Sequence, residues 1–172
     1  PEGRALREFT RKVIAVRKAF PILHRGRFLV GQYNEELDVK DVTWLTPDGT
    51  EMEASHWEDP MAKCFGMLLD GRAQPTGIRR RGSEATLLLI FNAHSDVVLF
   101  TLPEVPDGAR WSGLIDTNDP DRAEVPTFPF GHVYQVTGHS LLVFVLENED
   151  RRPLRVRKGV GALQDVVEAP LA

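Results

Sequence analysis

Hydrophobic positions near the start of the chain recur every three or four residues, at Leu6, Phe9, Val13, Val16 and Phe20, with Ile14 and Ala19 widening the stripe. Arg4, Arg7, Arg11, Arg17 and Lys18 fill the other faces. That period is helical. Pro21 closes the segment, because proline lacks the N–H that a continuing helix would use. The spacing predicts one amphipathic helix of roughly sixteen to eighteen residues, too short to be stable unless its stripe is buried against a partner.

After Gly26 the period shortens. Runs of β-branched and aromatic residues alternate with Gly, Pro, Asn and Asp clusters, which predicts strands at 27–31, 39–45, 63–69, 85–92, 97–102, 110–116, 131–136 and 141–147. About eight short strands with almost no helix between them predict a mainly β protein, an antiparallel β-sandwich preceded by one amphipathic α-helix. "TLLLIFN" and "SLLVFVLE" are nearly unbroken apolar runs, expected at the centre of a sheet covered on both faces. Pro47-Asp48-Gly49 is expected to turn the chain, since Asp tolerates tight-turn geometry and Gly supplies a positive φ. His94-Ser95-Asp96 is expected to close a hairpin between its flanking strands. "DGRAQPTGIRRRGSEA" and the Pro-rich "DTNDPDRAEVPTFPFG" read as loops. The resulting division is a helix over 1–25, a sandwich over 26–148, and a tail or linker over 149–172, with no internal repeat.

The 172 residues suit a single core, and 42% hydrophobic with 27% charged residues is the balance of a soluble globular protein. No apolar run approaches the length of a membrane span. The start, Pro1-Glu2-Gly3-Arg4, has neither a signal-peptide pattern nor an initiator Met, so the chain is expected to be a piece of something longer. A single cysteine, Cys64, rules out an internal disulfide and a multi-cysteine zinc site and fits a cytoplasmic location. The net charge of −4 is unevenly distributed: residues 1–27 carry eight Lys/Arg against Glu2 and Glu8, whereas residues 28–150 carry eight against twenty-one Asp/Glu. An acidic body repels phosphate backbones, which argues against a nucleic-acid partner.

Candidate chemistry concentrates in "DVTWLTPDGTEMEASHW", where Trp44 and Trp57 stand among Asp41, Asp48, Glu51 and Glu53, with Glu58 and Asp59 just beyond. Paired carboxylates can hydrolyse a glycosidic bond at a defined separation, but acidic residues around a turn are ordinarily solvated. "DTNDPD" invites a calcium reading, yet Pro120 occupies the fifth position, where a ligand is needed. Gly138-His139-Ser140-Leu141-Leu142 has Leu where a nucleophile elbow needs its second Gly, and Cys64 lies in an apolar strand where thiols are inert. An exposed indole can stack on a sugar ring, which makes Trp57, Trp44 and Trp111 the candidate carbohydrate contacts. Trp44 and Trp111 sit on predicted strands, where core packing is the ordinary fate, and Trp57 lies in an acidic loop.

In order, "LREFTRKVIAVRKAFPILHRGRFLVG", "DVTWLTPDGTEMEASHWEDP", "FGMLLDG", "TLLLIFNAHSDVVLFTLP", "WSGLIDT" and "VTGHSLLVFVLE" resemble the C-terminal end of bacterial isoamylase-type glycogen-debranching enzymes, in the α-amylase superfamily. The resemblance spans residues 5 to about 147, and the turn-plus-tryptophan block is its most specific part. It implies that 1–25 is the last helix of a (β/α)₈ barrel lying upstream and that the sandwich is the enzyme's C-terminal domain. The barrel's nucleophile, acid and stabilising carboxylates would lie outside this chain, so the resemblance assigns it no catalytic residue, metal or cofactor. Leu6, Phe9, Val13, Val16 and Phe20 would then face the barrel. The implied partners are that barrel and, through it, glycogen or maltodextrin, cleaved at α-1,6 branches. Two other readings stay open, an independent carbohydrate-binding module and an oligomerisation or docking domain. Kinship with trehalose-releasing enzymes of the superfamily also stays open, because this end of the chain does not separate the two.

Overall fold

The computed structural model describes residues 2–24, 28–35, 39–73, 85–122 and 124–148. The predicted tail and most of the first loop lie outside them. The helical stripe forms α1 (Glu2–Ala19), followed by a 3₁₀ turn over Pro21–His24. The strands are β1 (Tyr33–Asn34), β2 (Val39–Lys40), β3 (Val42–Leu45), β4 (Cys64–Asp70), β5 (Thr86–Asn92), β6 (Val98–Thr101), β7 (Arg110–Asp116), β8 (Thr127–Pro129), β9 (Val133–Val136) and β10 (Ser140–Glu147). A second, short helix, α2, spans Ala54–Glu58.

Six strands form one antiparallel sheet in the order β3-β4-β5-β10-β7-β8, while β6 pairs only with β9 in a separate ribbon. The two most apolar runs, β5 and β10, are neighbours at the centre of the large sheet, and alternation sends their side chains into two different cores. On one face, Leu87, Val143 and Val145 meet Val16, Phe20 and Ile22 of the helical segment. On the other, Leu88, Ile90, Phe144 and Trp111 meet Phe100 and Val136 of the ribbon. The mainly β, antiparallel sandwich with one long leading helix is therefore the observed architecture.

Several local expectations are corrected. His94-Ser95-Asp96 does not close a hairpin: β5 pairs with β4 and β10, so the turn carries the chain from the large sheet to the ribbon. The strand expected over 39–45 is cut at Asp41, and β2 and β3 belong to different sheets. Asp41 is buried, and its carboxylate accepts the backbone N–H groups of Val30 and Gly31, the latter at 2.8 Å. Residues 28–31, expected as a strand, are thus held by a side chain rather than by a ladder; position 27 lies outside the described residues. Thr127–Pro129, read as loop, is the edge strand β8, where Pro129 breaks no ladder that the sheet needs.

The turn at Pro47-Asp48-Gly49 is borne out. Gly49 has φ +80°, and a Cβ there would come within 2.7 Å of the Thr101 carbonyl oxygen. The close approach is used: the Thr101 N–H donates to the Pro47 carbonyl at 2.8 Å, tying the turn to the ribbon.

Candidate functional site

The acidic tryptophan stretch folds as the hairpin end of β3 followed by α2. The helix escapes a sequence reading because five residues are too few to show a period. Its start is nevertheless built: the Glu53 N–H donates to Nδ1 of His56 at 2.9 Å, half of a capping box. Pro60 follows just past its end, as helix-terminating prolines do. Other carboxylates of the stretch have structural partners. Glu51 pairs with Lys40 at 2.5 Å, and Asp59 accepts the Met61 N–H at 2.8 Å.

Placing Trp57 on α2 sets its ring edge-on against Trp44 of β3, with centroids 5.4 Å apart and planes at 82°. The contact continues across the sheet. Trp44 lies 5.8 Å from Phe65 of β4, and Phe65 stacks on its register partner Phe91 of β5 at 5.1 Å. The four rings form a row on the α1 face of the sheet, beside Met67 and Leu89 and beyond the area that the helix covers. Trp57 is 54% exposed; Trp44, Phe65 and Phe91 are half-buried. Sequence reasoning missed Phe65 and Phe91 as surface residues, because they sit inside apolar strands and only the register aligns them.

Trp111 is removed from the candidate carbohydrate contacts. It is fully buried, and its indole N–H donates to the Pro103 carbonyl at 2.8 Å, so neither ring face meets solvent. Trp44 and Trp57 are nearly perpendicular, which leaves one exposed indole rather than a flat two-ring platform. The helix stripe also divides. Val16 and Phe20, expected to face an upstream barrel, are buried in this chain's own core, and Phe9 packs at its margin. Leu6 and Val13, with Ile14, remain exposed.

A cleft of about 360 Å³ lies on the opposite side of the hairpin, lined by Thr46, Asp48, His56, Lys63 and His94 among others. Trp57 is not part of its wall, so indole and polar groups do not converge on one ligand. Cys64 borders the cleft from within the second core, and burial pushes its thiol from the ordinary 9.0 up to about 11. The direction favours the protonated thiol in the fold, so at pH 8 the thiolate fraction is on the order of 10⁻³. Iodoacetamide is expected to label Cys64 in the native chain far more slowly than in 6 M urea, and equal rates would contradict the burial. The stability contributed by this raised pKa is present below pH 9 and falls as pH rises toward 11.

The acidic 116–122 loop is likewise occupied by protein partners. Asp116 accepts the Asn118 N–H at 2.9 Å and the Tyr134 hydroxyl at 3.1 Å, while Asp119 pairs with Arg122 at 2.8 Å. Lys12 of α1 reaches the Pro120 carbonyl at 3.5 Å, and burial lowers its pKa against the pull of Asp119. Among the described residues, no group of three or more His, Cys, Asp and Glu is placed to hold a metal ion, and no helix is long and apolar enough to cross a membrane.

These features define an antiparallel β-sandwich with a leading helix and an aromatic surface row. The family profile "Isoamylase, C-terminal" matches residues 41–145, nearly the whole sandwich, and the chain belongs to that family. Its relatives include the glycogen operon protein GlgX homolog of Mycobacterium tuberculosis, 35% identical over 138 residues, covering 78% of this chain and 19% of the relative. The isoamylase of Pseudomonas amyloderamosa is 26% identical over 146 residues, covering 80% of this chain and 17% of its own. Isoamylase 2, chloroplastic, of Arabidopsis thaliana is 25% identical over 118 residues, covering 66% and 12%. The chain thus spans at most about a fifth of the length of these curated relatives.

Proposed function

We propose that this chain is the non-catalytic C-terminal domain of a glycogen-debranching enzyme that hydrolyses α-1,6 branch linkages. Its role is to stabilise the catalytic barrel carried by the same polypeptide. The observation that carries this reading is the division of α1. Its last turn is locked into the sandwich core through Val16, Ala19 and the following Phe20, while Leu6, Val13 and Ile14 stay exposed on the same helix. A helix anchored in one core at its last turn, with further apolar side chains left exposed before it, is suited to joining two bodies, because burial of either set stabilises the whole helix. The protein partners of Glu51 and Asp59 support a structural rather than a chemical role for the acidic stretch.

Deleting residues 26–172 from the full-length enzyme is expected to lower its thermal midpoint and shorten the lifetime of debranching activity, assayed on glycogen limit dextrin. Unchanged stability and activity would refute the role. A second reading, glucan binding, is favoured by the exposure of Trp57 alone. Co-sedimentation of the 172-residue chain with glycogen tests it: retention that falls with Trp57→Ala supports it, and negligible retention of both forms removes it.

A further inference from the structure

The cleft beside the β3 turn takes its walls from both layers of the sandwich. Thr46 and Asp48 come from the end of the large sheet, His56 from α2, Lys63 from the approach to β4, and His94 and Val98 from the crossover into the ribbon. That backbone is fixed in advance. The Pro47 carbonyl accepts the Thr101 N–H at 2.8 Å, the Lys63 carbonyl the Ala93 N–H at 2.8 Å, and the His94 carbonyl the His139 N–H at 2.9 Å. Walls already held in place do not have to be ordered when a ligand arrives. The polar side chains of the cleft differ from others on the surface in their lack of partners. Glu51 pairs with Lys40, Glu147 with Arg110 and Asp119 with Arg122. Among the described residues, the Asp48 carboxylate, the Lys63 ammonium and the His94 ring make no hydrogen bond or ion pair with protein. His56 uses Nδ1 to accept the Glu53 N–H, which leaves Nε2 as the donor of the neutral ring.

Donors and acceptors therefore line one concavity, with Met52 and Val98 as apolar wall between them. The carboxylates of Asp48 and Asp59 stand against the ammonium of Lys63, a balance that gives a phosphate no electrostatic advantage. A neutral ring with adjacent hydroxyls suits the set, because each hydroxyl both donates and accepts and the ring's C–H groups can lie on the apolar wall. Size agrees: the volume of about 360 Å³ is at the small end of the range of about 300–1,000 Å³ usual for ligand sites, room for a mono- or disaccharide. We propose that this cleft binds the end of an α-glucan chain, independently of Trp57. Asp48 accepts from the sugar hydroxyls, and Lys63 and Nε2 of His56 donate to them. The class of ligand follows from the cleft; naming glucose as the sugar rests on the reading of the chain as the C-terminal domain of a debranching enzyme.

A shallow site for a small neutral ligand binds in the millimolar range, too weakly for retention in a glycogen pellet, so a titration in solution is the test. Maltose is added to the ¹⁵N-labelled 172-residue chain and the amide resonances are followed by NMR. Saturable shifts are expected at Thr46–Thr50, His56 and His94, with the Trp57 indole N–H unmoved. Lys63→Ala and His94→Ala are each expected to weaken maltose binding several-fold at an unchanged urea midpoint, because neither side chain has a protein partner to lose. Trp57→Ala should leave the affinity as it is. The absence of saturable shifts at the cleft would overturn the site, and shifts centred on Trp57 would move the sugar to the indole. Equal or tighter binding of inorganic phosphate would overturn the neutral class, and myo-inositol binding as tightly as maltose would overturn the choice of glucose. A full-length debranching enzyme whose C-terminal cleft ignores maltose would remove the site and leave the domain's reading standing. Maltose binding here in a protein without debranching activity would remove that reading and, with it, the glycogen source of the ligand.

Discussion

Replacing Trp111 by Ala is expected to remove a large part of the domain's stability, about 3–5 kcal/mol for a fully buried large aromatic. Two losses combine. The indole fills the second core beside Phe144 and Leu146, and removal leaves a void that the ribbon closes only in part. The Pro103 carbonyl also loses its donor in a water-poor site, since Trp111 Nε1 lies 2.8 Å from it. Trp111→Phe separates the two terms, because it keeps much of the apolar volume and gives up only the N–H. It should cost about 1–2 kcal/mol. Urea denaturation followed by far-UV circular dichroism reads both against a total stability of about 5–15 kcal/mol. Trp57→Ala, on the surface, is expected to shift the midpoint by about 1 kcal/mol or less. Equal effects at the two tryptophans would contradict the placement of Trp111.

Asn92 should be nearly as intolerant for a polar reason. It is buried at the end of β5, where its amide donates to the carbonyls of Asp96 at 3.0 Å, Val136 at 3.0 Å and Thr137 at 3.1 Å. Its side-chain oxygen accepts the His94 N–H at 2.9 Å. One amide thus holds the crossover turn against the ribbon. The approach there is close enough that a Cβ at Gly138 would lie 2.1 Å from the Ser95 carbonyl oxygen. Asn92→Asp sets a carboxylate against three carbonyl oxygens and is expected to cost about 2–4 kcal/mol near neutral pH. Burial and these acceptors raise the pKa of the introduced group above its unfolded value. Its penalty is therefore smallest below pH of about 4, where the acid is protonated and can donate, and grows as pH rises. A deficit that grew toward low pH would show that the amide is not the donor.

The candidate site was partly legible. Pro47-Asp48-Gly49 announced its turn because a tight turn depends on local backbone geometry, and Cys64 announced its inertness because its neighbours are apolar. The tryptophans did not sort themselves. Trp44 and Trp111 both lie on strands, yet Trp111 faces the ribbon and is fully buried, whereas Trp44 faces the margin of α1 and meets Trp57. Their separation depends on which face each register presents and on what covers it. The same limit applied to the helix stripe, whose five positions look equivalent by spacing but lie at different distances along α1 from the sheet's cover.

What the sequence by itself determined were the quantities encoded at short range: the extent of α1, the centrality of β5 and β10, the mainly β class, and the family resemblance, which the family profile matches over residues 41–145. What only the tertiary structure decided were long-range pairings. These include the passage from β5 to a separate ribbon, the cut at Asp41, the recruitment of a Pro-rich loop as an edge strand, and the alignment of Trp57, Trp44, Phe65 and Phe91 into one row. The physical reason is that periodicity and turn chemistry report the conformation of a few neighbouring residues. Partner choice and exposure are set by free energies of burial summed over elements distant in the chain.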